Sequence, residues 1–134
     1  MNYPARPITW QWLAGFTDGD GCISMEVSKG RYRYSRIRWS QKESTSWVLD
    51  EILELLQKYD VKVTDRNFSV AIKGHKYPQR ELCITNAADT RFVLRKLLPY
   101  LVVKRERAIE ALEILDEVHR LKKKYGWKYR VRMA

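Results

Sequence analysis

The sequence predicts an α+β domain in which helices cover one face of a mostly antiparallel sheet. Two segments near the N-terminus alternate strictly between apolar and polar residues, as half-buried strands do. Longer segments carry apolar residues at helical spacing. Along the chain the order is helix, two strands, helix, two or three strands, helix, helix. This order leaves the second face of the sheet with no helix to cover it.

The first half of the chain predicts a helix over residues 8–18, a hairpin and a second helix. Residues 22–28 and 34–40 place apolar side chains at odd positions and polar ones at even positions, with a turn at 29–31. Residues 44–59 carry an apolar stripe at helical spacing. Ser44 or Thr45 is the expected cap of this second helix.

The second half predicts strands over 61–66, 68–73 and 80–85, with a loop over 73–79. Asn86 begins the next helix and pairs with Asp89 in a capping-box-like arrangement. Pro99 ends that helix because it cannot continue the hydrogen-bond ladder. A last helix is predicted over 104–124.

Composition sets the broad class. A chain of 134 residues is long enough for one domain with a real core, so we expect a single domain over 1–134 with a basic tail from about 122 to 134. Hydrophobic residues at 45% and charged residues at 31% are typical of a folded globular protein rather than a disordered one. No apolar run approaches the ~20 residues of a membrane span, and the N-terminus does not resemble a signal peptide. We therefore expect an intracellular protein with no membrane partner.

The net charge of +10 indicates an anionic partner, nucleic acid first. Its distribution supports a binding surface, because residues 29–42 and 120–134 contain many lysines and arginines and no acidic residue. The charge does not distinguish DNA from RNA. Cys22 and Cys83 are far apart in sequence, and no Cys/His spacing resembles a zinc site or a nucleophilic triad.

Residues 13–21, LAGFTDGDG, form an apolar helix that runs directly into two carboxylates and two glycines. The C-terminal end of a helix is partially negative, so each carboxylate there costs a few tenths to ~1 kcal/mol. A positive group is therefore expected near Asp18 or Asp20, and a divalent cation is the obvious candidate. Gly15 and Gly19 share one helix face, where a second helix could pack backbone to backbone.

These nine residues resemble the LAGLIDADG signature of homing endonucleases, with Phe16, Thr17 and Gly19 as variants. The motif occurs once, as in the single-motif branch whose members are homodimers. The resemblance covers residues from about 8 to 118 and implies an αββαββα fold with a saddle-shaped antiparallel sheet. It implies a site-specific double-strand DNA endonuclease of the intron-homing type, cutting a long pseudo-palindromic site by Mg²⁺-dependent phosphodiester hydrolysis, with Mn²⁺ as a substitute metal.

The resemblance also implies roles for individual residues. Two motif helices would pack at a dimer axis through Leu13, Ala14, Gly15, Thr17 and Asp18, with Asp18 in a structural role. Asp20 matches the catalytic, metal-binding aspartate, and the Gly19 carbonyl resembles a further metal ligand. Gln41 matches a water-positioning glutamine and Lys104 a basic residue near the scissile phosphate.

One position departs from the family pattern. Related enzymes often carry a basic residue at the start of the helix that follows the glutamine, and here Thr45 stands at about that place. Lys42 and Arg107 are the candidates to replace it.

The uncovered face of the sheet is the predicted DNA surface. A two-stranded ribbon fits the major groove, and seven residues at ~3.3 Å each span ~23 Å, about seven base pairs at ~3.4 Å per step. For each side chain, base readout and phosphate contact both remain open. The hairpin set is Ser24, Glu26, Ser28, Tyr34, Arg36, Arg38 and Ser40, and the second set is Thr64, Arg66, Arg80, Glu81 and Cys83.

Two other functions fit the same fold. One is an RNA maturase that assists splicing, with intron RNA as its partner, and the other is a DNA-binding protein that does not cut. The intact Gly19-Asp20 pair favours cutting, because a pure binder has no need for carboxylates that repel one another.

Overall fold

The computed structural model describes residues 7–68, 77–128 and 131–132. The elements follow the predicted order, which confirms the α+β class and the αββαββα arrangement, with the last helical part divided in two. Two short 3-10 turns occupy Glu43–Thr45 and Leu98–Tyr100. Within the described ranges, no helix has the length and apolar character needed to cross a membrane. The helices and strands are α1 (Trp10–Asp20), β1 (Gly21–Ser28), β2 (Arg31–Lys42), α2 (Trp47–Gln57), β3 (Thr64–Phe68), β4 (Gln79–Ile84), α3 (Ala87–Leu97) and α4 (Arg105–Tyr125).

The four strands form one antiparallel sheet in the order β1-β2-β4-β3. Ile37, Trp39 and Leu82 are fully buried on one face, where apolar side chains of the four described helices pack against them. These helices therefore lie on a single side of the sheet. We call the other side the open face.

A bulge in β2 changes the predicted alternation at the tip of the hairpin. Glu26 pairs with Tyr34 but Val27 pairs with Tyr32, so Arg33 is an extra residue. One extra residue moves the following side chain to the other face. As a result Tyr32 packs on the core. Val27 pairs with Tyr32 and keeps the core side predicted for it, but at the tip of the hairpin it is 40% exposed. β2 is also longer than the predicted 34–40.

The predicted cap of α2 is wrong. α2 begins at Trp47 after the 3-10 turn, and Ser46 at its N-cap makes no side-chain capping bond. The Thr45 hydroxyl contacts Gln41 instead. Neither predicted residue caps α2, because the N-cap position falls on Ser46, after both of them.

The second half of the chain follows the prediction more closely. The Asn86–Asp89 box is confirmed, with Asp89 N donating to Asn86 Oδ1 and Asn86 Nδ2 donating to Asp89 Oδ2, both at 2.8 Å. The strand predicted over 61–66 is observed at Thr64–Phe68. The strand predicted over 68–73 falls, from residue 69 onward, outside the described residues.

Candidate functional site

The inner face of α1 is fixed to the sheet by a buried hydroxyl. Thr17 Oγ1 donates to the Leu13 carbonyl at 2.6 Å and accepts from Trp39 Nε1 at 2.9 Å. A Cβ on Gly21 would lie 2.8 Å from the Thr17 Cα, so only glycine fits where the helix passes into β1. These contacts set where the end of α1 lies relative to β1 and β2.

This arrangement corrects the predicted dimer-interface residues. Leu13, Ala14 and Thr17 are fully buried within their own chain, so they have no surface to offer a second copy. Gly15 is exposed. The prediction missed the distinction because an isolated helix sequence does not say which of its faces a sheet will cover.

Asp18 is a structural residue at the C-terminal end of α1. Its carboxylate accepts from the Val102 N–H at 2.8 Å and from the Lys104 N–H at 2.9 Å. Burial of the carboxyl opposes ionisation, but these backbone hydrogen bonds and the Lys104 charge outweigh it and hold the pKa of Asp18 below its ordinary value. Asp18 thus joins the motif helix to the loop before α4.

Lys104 supplies the positive charge that the helix end requires. Its Nζ donates to the Asp18 carbonyl at 2.7 Å. A cation at this position interacts favourably with the negative end of the helix dipole and satisfies a carbonyl that has no helical N–H partner. The ammonium group of Lys104 therefore lies at the C-terminal end of α1, bonded to the carbonyl two residues before Asp20.

Asp20 points away from these contacts and is exposed. Its Oδ2 accepts from Gln41 Nε2 at 3.2 Å, and Gln41 Oε1 in turn accepts from Thr45 Oγ1 at 3.1 Å. Asp20, Gln41 and Lys104, distant in sequence, therefore surround one helix end. Thr45 therefore donates to Gln41, and Gln41 in turn donates to Asp20.

Neither candidate replacement for the family's basic residue is directed at Asp20. Arg107 donates from Nε to the Ile23 carbonyl at 3.2 Å and from a terminal nitrogen to Glu110 at 3.2 Å. The Lys42 ammonium lies 5.6 Å from the centre of the Tyr77 ring. The place beside Gln41 is held by the uncharged Thr45.

The end of α1 offers oxygen ligands of the kind that Mg²⁺ prefers. Asp20 presents a carboxylate, and the Gly19 carbonyl belongs to the last turn, whose carbonyls lack helical N–H partners. Across residues 7–68, 77–128 and 131–132 no group of three or more His, Cys, Asp or Glu side chains is placed to hold a metal. Mg²⁺ is commonly bound by one or two carboxylates together with substrate phosphates and water. One chain therefore supplies part of such a site.

The outward side of α1 borders an apolar groove of about 640 Å³. A Cβ built on Gly15 or Gly19 would meet no atom within 4 Å. Trp12 and Trp47, 41% and 66% exposed, flank these glycines. We call this surface the helix groove, and its lining is Gln11, Trp12, Gly15, Phe16, Gly19, Asp20, Gln41, Thr45, Trp47 and Val48.

The strand register brings most of the predicted DNA-contacting residues onto the open face. Arg36 lies opposite Ser24, and Ser40 lies in one row with Glu81 and Arg66. Residues directly opposite one another across strands share a face. The residues on the open face are Ser24, Glu26, Ser28, Tyr34, Arg36, Arg38, Ser40, Thr64, Arg66, Glu81 and Cys83.

Two arginines on the open face are held by neighbours. The Arg36 guanidinium lies 4.3 Å from the centre of the Tyr34 ring. Arg38 donates to Cys22 Sγ at 3.5 Å and lies 3.9 Å from the Glu81 carboxylate. A concavity of about 370 Å³ lies beside Arg38 and reaches Asp20, so the basic face and the helix end are continuous.

Arg80 does not belong to this surface, contrary to the prediction. It pairs with Gln41, one position out of step with Glu81, and therefore points to the helix side of the sheet. Its guanidinium donates to both Asp65 oxygens at 3.0 and 2.8 Å and to Asp50 at 2.8 Å. The paired hydrogen bonds raise the pKa of Arg80 and lower the pKa of Asp65.

The two cysteines are free thiols. Cys83 is buried in the sheet beside Arg38, and burial raises the pKa of its thiol. A neutral, buried thiol packs as a small apolar group and is a poor nucleophile.

An exposed carboxylate at a helix end beside a basic open sheet suits an enzyme that acts on a polyanion. A sequence profile of the LAGLIDADG endonuclease family matches residues 13–101. The chain belongs to this family.

Two relatives give the extent of the similarity. The DNA endonuclease I-CvuI of Chlorella vulgaris is 31% identical over 83% of this chain and 66% of its own length. The "Probable intron-encoded endonuclease Cox1-I1b" of Schizosaccharomyces pombe is 30% identical over 94% of this chain and 26% of its own length. A crystal structure of the homing endonuclease I-CvuI on an I-CreI target in the presence of Mg superposes with a TM-score of 0.66, at 27% identity over 87% of this chain and 71% of that chain. I-CvuI has also been crystallised with its target in the presence of Ca.

Against the curated relatives, this chain therefore spans about two thirds of the length of I-CvuI and about a quarter of the length of Cox1-I1b.

Proposed function

We propose that the chain is a homodimeric, Mg²⁺-dependent endonuclease of the intron-homing type that cuts both strands of a long pseudo-palindromic DNA site. The observation that carries the proposal is the exposed Asp20 carboxylate, bonded to Gln41 and adjacent to Lys104, at the border of a basic open face. The homing endonuclease I-CvuI, which is 31% identical to this chain, has been crystallised in complex with target DNA.

The open face suits the DNA major groove. β2 has twelve residues, which at ~3.3 Å each is about 40 Å of strand. A two-stranded ribbon enters the major groove, and Arg36 or Arg38 can read guanine through paired hydrogen bonds. Arg66, exposed at the edge of the face, is placed for a phosphate.

A second copy of this chain fits the helix groove. The chain carries one Asp20, and cutting two strands calls for a second carboxylate of the same kind. Gly15 and Gly19 leave room for close approach of another α1, and the flanking tryptophans add apolar area to bury. A two-fold dimer of this kind would read a target with two related half-sites.

Each residue around the end of α1 has a separate role in the proposed reaction. Asp20 and the Gly19 carbonyl would hold Mg²⁺, with Mn²⁺ as a substitute, and a bound divalent ion activates water and stabilises the leaving oxygen. Gln41 holds one carboxylate oxygen of Asp20 and presents its amide to water in the groove. Lys104 adds positive charge beside the phosphate.

A randomised duplex library incubated with Mg²⁺, with Mn²⁺ and with EDTA tests this function. We expect double-strand cuts at one long, pseudo-palindromic site with either metal and none with EDTA. Absence of cutting on every duplex, together with binding to structured intron RNA, would replace the endonuclease with the maturase alternative.

A further inference from the structure

Gln41 has two hydrogen-bonding groups on its amide, and the structure engages both. The Nε2 donor faces Asp20 Oδ2 at 3.2 Å, and the Oε1 acceptor receives the Thr45 hydroxyl at 3.1 Å. An amide rotated by half a turn would place its oxygen against the Asp20 carboxylate, where two acceptors repel. The orientation of Gln41 therefore matters for how Asp20 is held.

We propose that Thr45 is a positioning residue that fixes the Gln41 amide with its donor toward Asp20. The proposal rests on the endonuclease function above. The Asp20 carboxylate can only accept, so it requires the Nε2 donor on its side, and the Thr45 hydroxyl stabilises the same orientation by donating its proton to Oε1 on the other side. Thr45 lies in the 3-10 turn directly after β2, so its distance from Gln41 is set by the backbone.

Thr45 places a hydroxyl, and no charge, beside the Gln41 amide. Among the described residues, Arg80 lies opposite Gln41 but is bonded to Asp50 and Asp65. Lys42 lies over Tyr77, and Arg107 is bonded to Ile23 and Glu110. An uncharged hydroxyl there orients a neighbour but adds no positive charge. Thr45 also lies 3.3 Å from the Lys42 carbonyl, and its single proton serves one acceptor at a time. A test must therefore separate action through Gln41 from a local role in the turn.

Four proteins make that separation: Thr45→Val, which has a similar shape but no hydroxyl, Thr45→Ser, which keeps the hydroxyl, Gln41→Ala, and the double variant. We expect Thr45→Val to lower the single-turnover cleavage rate about five- to tenfold, the value of one hydrogen bond. DNA affinity measured with Ca²⁺ should not change, and Thr45→Ser should retain the rate. In the Gln41→Ala background, Thr45→Val should cause no further loss.

A second readout does not depend on cleavage. The side-chain amide protons of Gln41 give NMR signals in the free protein, and these should move in Thr45→Val but stay in place in Thr45→Ser. Equal losses from Thr45→Val with and without Gln41 would overturn the proposal, as would unmoved amide signals. Failure of the wild-type chain to cut any DNA, with the amide signals moving as expected, would instead reject the endonuclease function.

Discussion

The two faces of α1 use similar side chains for opposite purposes. On the inner face, Thr17 and Asp18 direct their polar atoms to the chain's own core and to the loop before α4. On the outward face, Gly15 is exposed with open space where a Cβ would stand, and Asp20 is exposed and bonded to Gln41. Asp18 and Asp20 are two residues apart, about 200° around a helix. The role of each of these carboxylates is therefore set by the face of α1 on which it lies, since the two side chains are chemically identical.

Gly15→Leu tests the outward face and should have the largest effect. A Cβ at Gly15 would meet no atom within 4 Å, and leucine favours a helix over glycine, so the folded monomer should persist. We expect sedimentation to show monomers where the wild type forms dimers, and double-strand cleavage to fall at least about a hundredfold. Glu113→Leu, at an exposed position of α4, is the matched control. A Gly15→Leu protein that remains dimeric would exclude the helix groove as the interface.

Asp18→Asn tests the inner face. The variant loses charge-assisted hydrogen bonds to two backbone N–H groups, which should lower the free energy of unfolding by about 2 to 3 kcal/mol at pH 7. Urea unfolding beside Glu113→Gln, an exposed carboxyl on α4, measures the difference. An unchanged unfolding midpoint would mean that Asp18 does not hold the loop.

The lowered pKa of Asp18 also predicts how the stability difference between wild type and Asp18→Asn depends on pH. The pKa of Asp18 is lowered in the folded chain, so its stabilisation is fully present above the ordinary aspartate pKa of about 3.9 and disappears as pH falls through the lower, folded value. The stability gap between wild type and Asp18→Asn should therefore narrow as the pH falls below about 4. A gap that stays constant from pH 7 to pH 3 would contradict the assigned charge.

Thr17→Val removes a buried hydroxyl while keeping the shape of the side chain. Trp39 Nε1 would then lose its partner in the core, at a cost of about 1 to 2 kcal/mol in the free energy of unfolding. Thr17→Ser should restore most of that loss. Thermal unfolding of the three proteins measures it, and equal melting temperatures would show that the Trp39 bond is not needed.

Arg66 and Arg80 lie on opposite faces of the sheet, as Asp20 and Asp18 lie on opposite faces of α1. Substitutions of these two arginines should have the smallest effects. Arg66→Met on the open face should reduce the slope of log affinity for DNA against log salt by about one, with stability unchanged. Arg80→Met should leave that slope alone and cost about 1 kcal/mol of stability, because its partners Asp50 and Asp65 stay partly exposed. The reverse pattern would reassign the two faces.

The features predicted correctly from the sequence are those set by local patterns. Helical spacing, strand alternation and the Asn86–Asp89 box each depend on residues a few positions apart, and each is observed. The motif likewise identified the family.

The features missed depend on long-range register. Arg80 and Glu81 are equally polar neighbours, and only the pairing of β4 with β2 assigns them to different faces. The extra residue at Arg33 could not be predicted, because the residues before and after it are also polar and show no break in the alternation. Leu13 and Ala14 were placed at an interface because burial by one's own sheet and burial by a partner look alike in a helix sequence. The one local signal overlooked was Thr45, four residues after Gln41 and within reach of it.

The most direct measurement compares single-turnover cleavage by Asp20→Asn and Asp18→Asn on the selected target, at 25 °C and pH 7, where we expect both variants to be folded. The account predicts that Asp20→Asn loses at least about a hundredfold in rate with unchanged stability and DNA affinity. Asp18→Asn should cut within a few fold of the wild-type rate despite its lower stability. Equal losses of cleavage in the two variants, or full activity in Asp20→Asn, would contradict the division of roles between the two faces of α1.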